Sequence, residues 1–153
     1  MKEKDLPFFL EVRNECRNFL HDNTEYNIKE SLLWFKEKKP NFFLVEKSKQ
    51  PIGYFRTSNW NEEEGSLWLG ADLHKDFRGL GYSKTMYEQF FEELHEKGYN
   101  IFFLDVLETN KRALNLYKKL GFKEQKTEKS TIIRSTGEIH KNVHMRLNYE
   151  KLL

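Results

Sequence analysis

Residues 101–107 read IFFLDVL, six apolar side chains around one carboxylate. A run this short and this continuously apolar is the pattern of a β-strand covered on both faces. Such a strand demands an apolar layer on each side of its sheet, so the chain must also supply helices to both faces. The flanking sequence offers them. Asp5 stands where it can cap a helix with Pro7 in its first turn, and Phe9, Val12, Cys16 and Phe19 follow at helical spacing. A second helix is predicted from Asn27, with Glu30 placed as in a capping box and Leu32, Leu33 and Phe35 as its apolar face. NFFLVEK, the turn SKQP and IGYFRTS read as a hairpin, and NEEEG turns into a third strand, Ser66–Leu73.

After that strand comes the glycine-rich stretch DFRGLGYSK, residues 76–84, and then a helix ending near Gly98. The helix after IFFLDVL has Thr109 or Asn110 as its cap, Lys118 and Lys119 in its last turn and Gly121 as its stop. The tail TIIRSTGEIHKNVHMRLNY reads as a hairpin turning at Ser135–Glu138. The expected order is ααβββαβαββ. Two helix N-termini then lie near the carboxyl ends of strands, where open α/β sheets tend to bind ligands. Glycines between a strand and a helix are compatible with a tight connection or with a bed of backbone N–H groups for a phosphate.

At 153 residues, with 38% hydrophobic side chains, the chain can bury a core, and no linker or repeat divides it. Residues 1–153 are read as one domain. No run approaches the ~18 apolar residues of a membrane span, and MKEKDLPFFLEVRN interrupts its short apolar stretch with charge, which makes a poor signal peptide. The single cysteine, Cys16, can form no internal disulfide, so the cytoplasm is the default compartment. A net charge of +2 gives no general case for nucleic acid. Charge is uneven all the same: residues 1–110 hold 15 basic and 20 acidic side chains, residues 111–153 hold 11 and 4. The basic third is solvated surface or faces an anionic ligand.

Two motifs stand in order on the right elements. Arg78-x-x-Gly81-x-Ser83 opens one helix, and Asn110-x-x-Ala113-x-x-x-Tyr117-x-x-x-Gly121-Phe122 fills the next. The first resembles the Q/R-x-x-G-x-G/A pyrophosphate loop of the GNAT superfamily of acetyl-CoA-dependent N-acyltransferases. The second resembles that family's N-x-x-A-x-x-L-Y-x-x-x-G-F helix, with Leu116 also in place, and the order of elements from Leu6 to Leu147 is similar. Ser83 departs from the usual Gly or Ala, and only five residues precede the first helix. The resemblance implies an α/β (α+β) fold with a mixed, mostly antiparallel central sheet, helices on both faces and a first strand short or absent.

It also implies acetyl-CoA as cosubstrate, with no metal, and direct transfer of the acetyl group to an amine in a ternary complex. Leu73 takes the position whose backbone pairs with the pantetheine arm. Arg78, Gly79, Leu80, Gly81, Tyr82 and Ser83 hold the pyrophosphate through successive N–H groups, Arg78 adding its charge. Asn110 and Ala113 border the arm, Asn110 also being placed to cap its helix. Tyr117 matches the tyrosine that protonates the leaving thiolate, a proton a phenol of pKa ~10 can give to a thiolate of pKa ~8.5. Asp72, Asp105 and Glu108 lie near strand ends, but none matches a family feature, and no base is assigned.

EVRNECRNFLHDNTEYNIKESLLWF is similar to the front of family members that acetylate nucleotide-linked amino sugars, and of members that acetylate protein N-termini. That ranks a small-molecule primary amine first, a nucleotide-linked amino sugar leading, with a protein N-terminus as the alternative. The loop His21–Tyr26 is expected to wall the acceptor site with helices one and two, with Trp60 or Trp68 near its opening. A homodimer stays open. A non-catalytic acyl-CoA-binding sensor is the rival of another class, although binding alone does not need the Tyr117 hydroxyl. His140 and His144 share one face of a strand without a third ligand, so zinc is not expected. Cys16 has no evident activating partner.

Overall fold

The computed structural model describes residues 1–126 and 131–150. The elements are α1 (Leu6–Cys16), α2 (Ile28–Lys38), β1 (Phe43–Lys47), β2 (Gln50–Asn61), β3 (Ser66–Leu73), α3 (Tyr82–Glu96), β4 (Ile101–Leu107), α4 (Lys111–Leu120), β5 (Lys123–Glu124), β6 (Thr131–Ile133) and β7 (Ile139–Asn148). One seven-stranded sheet runs β1-β2-β3-β4-β7-β5, with β6 paired to β7. Every pairing is antiparallel except β3 with β4. No strand precedes α1 among the described residues; the N-terminal ammonium instead donates to the Phe42 carbonyl at 2.8 Å. The two-residue strand β5 was not expected from the sequence.

Alternation along β2 sends neighbouring rings to opposite faces. Phe55 joins Tyr87, Phe90, Leu104 and Met145 in the core beneath α3 and α4. Tyr54 joins Leu6, Phe9, Val12 and Cys16 beneath α1. IFFLDVL forms the expected strand, but its two faces differ. Phe102, Leu104 and Val106 are buried in the larger core, while Phe103 and Asp105 on the other face are only half-buried, because α1 packs on β2 and β3.

Local signals hold where the backbone itself enforces them. The Asn27 side chain accepts from the Glu30 N–H, and Asn110 rather than Thr109 caps α4 by accepting from Ala113 N–H at 3.3 Å. Gly121 ends α4 at φ 102°. The β1–β2 turn puts both Ser48 and Lys49 at positive φ, the twist a two-residue hairpin needs.

Two details differ from the sequence reading. The Asp5 carboxylate turns back to Lys2 N–H and does not cap α1. The apolar face of α2 is rotated, so that Ser31, Leu32, Trp34 and Phe35 turn inward toward α1 and the cluster around Tyr54, while Leu33 is exposed. No helix among the described residues is long and apolar enough to cross a membrane.

Candidate active site

The parallel strands β3 and β4 pair for three residues only, Ser66–Trp68 with Ile101–Phe103. Beyond that point they part, and a cavity of about 670 Å³ opens between them. Ala71, Asp72 and Leu73 line it from β3, Asp105 and Val106 from β4. Two parting strands leave N–H and C=O groups on facing edges without ladder partners, which favours an extended ligand lying between them. A smaller hollow of about 410 Å³, between Glu3 and Leu32, brings together no comparable set of polar groups.

Both helix N-termini open into the cavity: Gly79, Gly81, Ser83 and Lys84 from the start of α3, and Asn110, Arg112 and Ala113 from the start of α4. The N-cap of α3 is Gly81 at φ 84°, with no side chain to take the first-turn N–H groups. Those donors stay open to an anion at the positive end of a 15-residue helix. A Cβ at Gly81 would meet no protein atom within 4 Å beyond its chain neighbours, so the space before it is open. The residues fit a pyrophosphate, and Asn110, whose side-chain oxygen caps α4, stands on the same wall.

Arg78, read as a phosphate ligand, lines the cavity, with its side chain held at the base of the loop. Its Nε donates to the Leu73 carbonyl at 2.8 Å, Nη2 donates to Cys16 Sγ at 3.0 Å, and Glu15 lies 3.9 Å away. Its backbone N–H donates to Lys75 O, so the open donors begin at Gly79. The side chain therefore closes the loop onto the end of β3, where it occupies the Leu73 carbonyl. Asp76 lies near His74 rather than Arg78. Leu80 is exposed and neither it nor Tyr82 lines the cavity; Tyr82 packs on Phe77 and receives the Lys47 ammonium on its hydroxyl.

Tyr117 lines the cavity from α4 and is buried. Burial pushes its pKa up, opposed by a hydrogen bond from Tyr87 and by the Arg56 charge. The Tyr87 hydroxyl donates to the Tyr117 oxygen across 3.4 Å, which leaves the Tyr117 proton free to be given elsewhere. Sequence reasoning missed Tyr87, which has the helical spacing of a core aromatic. It also missed Arg56, Arg112 and Lys119 on the cavity wall. The N-x-x-A spacing holds a signal for Arg112, because residues just inside a helix start face what that start faces.

The loop expected on the acceptor side is held from two directions. From α1, Arg13 donates to the Asp22 and Thr24 carbonyls and stacks on Tyr26, and Asn14 exchanges two hydrogen bonds with the Tyr26 backbone. From the C-terminal hairpin, Arg134 donates to the Asn18 and Leu20 carbonyls, and His21 Nε2 lies 2.6 Å from Asn142 Oδ1. Asp22 and Tyr26 bond each other, and Glu25 pairs with Arg17. The wall is consequently Phe19, Leu20 and His21, and of the expected loop His21–Tyr26 only His21 reaches the cavity. Phe19 is not on the core face of α1: the helix tightens at Arg17–Phe19 and leaves Phe19 half-exposed.

Other expected residues are elsewhere. Trp60 packs on Phe43 and Tyr99, and Trp68 stacks on Phe103; neither lines the cavity. Glu108 is also outside it, whereas Asp72 and Asp105 are within. His144 bonds Asp105 and His140 lies 3.4 Å from Glu138, so the two histidines have separate partners. Cys16 is buried at the cavity, its thiol pushed up to about 12 by burial and then by the Asp72 carboxylate.

Known proteins share this architecture. A spermidine N-acetyltransferase from Vibrio cholerae, in complex with CoA and spermine, superposes with a TM-score of 0.84 at 18% identity, covering 97% of this chain and 92% of that one. A ribosomal-protein-alanine N-acetyltransferase from Brucella melitensis does so with 0.77 at 20% identity, over 97% of both chains. An uncharacterised N-acetyltransferase of Methanocaldococcus jannaschii is 31% identical over 139 residues. That alignment covers 82% of this chain, which spans only 59% of the relative's length. The family model described as acetyltransferase (GNAT) matches residues 6–122. With the match spanning most of the chain, this protein belongs to the acetyltransferase (GNAT) family.

Proposed function

We propose that this protein is an enzyme that transfers the acetyl group of acetyl-CoA to a primary amine, directly, in a ternary complex. One observation carries the reading: the parted strands β3 and β4, the uncapped start of α3 and the buried Tyr117 hydroxyl converge on a single cavity. N–H groups from Gly79 onward take the pyrophosphate, with Arg112 beside Gly79 as the added positive charge. Asn110 and Ala113 border the arm. Arg78 shapes the loop rather than holding the phosphate.

In the reaction the amine nitrogen attacks the thioester carbon, a C–N bond forms and the C–S bond breaks. Tyr117, kept protonated by burial, gives its proton to the departing sulfur. The proton leaving the amine goes to Asp105, the cavity carboxylate whose other partner is His144. Asp72 is less suited, since Tyr54 and Arg56 already hold it.

The acceptor is a small-molecule amine, with a nucleotide-linked amino sugar as the finer assignment. That assignment rests on the resemblance of residues 11–35. The basic excess in the C-terminal third lends it little, because Arg112 stands at the cosubstrate loop and Arg134 is spent on the Asn18–Leu20 backbone. A single buried cysteine fits a reducing compartment such as the cytoplasm. Free-thiol release from acetyl-CoA with a panel of amines tests the reading. Turnover with at least one amine, lowered in Tyr117→Phe and in Asp105→Asn, is the expected result. Tight acetyl-CoA binding with no turnover on any amine would instead identify an acyl-CoA-binding sensor.

A further inference from the structure

We infer that the acceptor amine carries an anionic group, a carboxylate or a phosphate, and that Arg56 holds it. This rests on the acetyltransferase reading and narrows its substrate class. Arg56 lies in the middle of β2, cross-strand from Gly70 of β3. Its Nε is 3.1 Å from Asp72 Oδ2, and the same oxygen accepts the Tyr54 hydroxyl at 2.6 Å. Tyr54 is fully buried beneath α1, so a rigid core residue fixes the carboxylate, and the carboxylate holds the guanidinium beside it by charge.

Gly70 makes the room. A Cβ there would stand 2.7 Å from Arg56 Nη2 and 3.0 Å from Cζ. Gly70 is not among the glycines at positive φ, so backbone conformation does not call for it. A side chain here would push the guanidinium out of its place over the strand.

The other edge of the guanidinium is unspent. Neither Nη1 nor Nη2 has a hydrogen-bond partner among the described residues, and Arg56 lines the cavity with 37% of its side chain exposed. The ion pair with Asp72 lies at Nε, which makes no aligned hydrogen bond, and it leaves the paired terminal nitrogens without any partner among the described residues. Two parallel N–H donors match the two oxygens of a carboxylate or phosphate, a geometry lysine lacks. The placement also points to the acceptor rather than to the cosubstrate's phosphates. Arg56 is close enough for its charge to act on the Tyr117 hydroxyl, whereas the open donors of the phosphate loop stand at the start of α3. Phe19, Leu20 and His21 face the same cavity from the acceptor loop.

Matched amines that differ in one anionic group test this: an α-amino acid against its carboxamide, and glucosamine 6-phosphate against glucosamine. Binding to the CoA-loaded protein is read by calorimetry, and transfer by thiol release. In at least one pair the anionic member is expected to bind roughly tenfold or more tightly, the worth of one charge-assisted contact. The pair that shows it tells carboxylate from phosphate. Arg56→Gln should erase the difference with CoA affinity unchanged, and Gly70→Ala should do the same with the charge retained. Equal or inverted affinities in both pairs, or an Arg56→Gln variant that weakens both members alike, would overturn the inference. Anion-selective binding without thiol release would sink the acetyltransferase reading instead and leave the Arg56 site standing.

Discussion

The guanidinium of Arg134 donates to the backbone carbonyl of Leu20 at 2.9 Å, joining positions 114 residues apart. Another hydrogen bond reaches the Asn18 carbonyl at 2.7 Å, and Glu138 accepts one at 2.8 Å. The Arg134 side chain is only 5% exposed. A side chain from the C-terminal hairpin thus sets the position of Phe19, Leu20 and His21, the cavity wall proposed to face the acceptor.

Arg134→Met removes these donors from a buried position and leaves two carbonyls unmet. Stability to urea should fall by on the order of 2–4 kcal/mol. The KM for the acceptor should rise while the Kd of acetyl-CoA holds, because the cosubstrate loop is not touched. Arg134→Lys, with charge but no fork, should recover only part of either effect. Equal losses of acceptor and cosubstrate affinity would show that the contact supports the whole fold instead of the wall.

Gly81 separates backbone strain from ligand clash. An alanine there meets no protein atom within 4 Å but must adopt φ 84°. The conformational cost is about 1–2 kcal/mol of stability. Loss of coenzyme A affinity should grow from Gly81→Ala to Gly81→Val in a folded protein, since a larger side chain projects further into the open space before the loop. Calorimetry that finds coenzyme A bound equally by all three proteins would remove this loop from the site.

Tyr117→Phe should lower turnover by roughly 10²–10⁴-fold, the usual worth of general acid help, with little change in acetyl-CoA affinity. The pH profile gives a further check. Burial raises the Tyr117 pKa, so the protonated, donating form persists as pH rises and is lost only above the ordinary tyrosine value of ~10. Single-turnover rates should therefore show no Tyr117-dependent decline below about pH 10. A wild-type decline nearer pH 8 that vanishes in the phenylalanine variant would contradict the assignment.

Cys16 should be slow to alkylate. Its pKa of about 12 keeps it a thiol at neutral pH. At pH 8 labelling should run roughly a thousandfold below that of a free cysteine of pKa ~8.5, and accelerate as pH climbs toward the raised value. Mass spectrometry after timed iodoacetamide exposure measures it. Rapid labelling at pH 8 would mean that the Arg78 loop and α1 separate readily.

The elements of the fold were legible wherever a local rule applied. IFFLDVL reads as a strand, Asn110 and Gly121 bracket α4 through cap geometry, and the two motifs place both helix starts at strand ends. Such features depend on backbone sterics and on residue period, which a few neighbouring positions decide.

The site's detail depends on distant partners. Arg78 turns inward because the Leu73 carbonyl and Cys16 Sγ lie within its reach, and its place in the motif could not reveal that. Trp60 and Trp68 read in sequence as core rings or as rings stacking on an acceptor, and their partners Tyr99 and Phe103, which come from beyond β3, decide for packing within the protein. Arg56, Tyr87 and Arg134 read as an ordinary strand charge, a core ring and a turn charge. Only the parting of β3 from β4, and the return of β7 along β4, bring them to the cavity and its wall. The sequence by itself determined which segments are helix and strand, and where two helices begin. Tertiary structure decided which side chains share the space between two strands, because that space exists only where a non-local pairing stops.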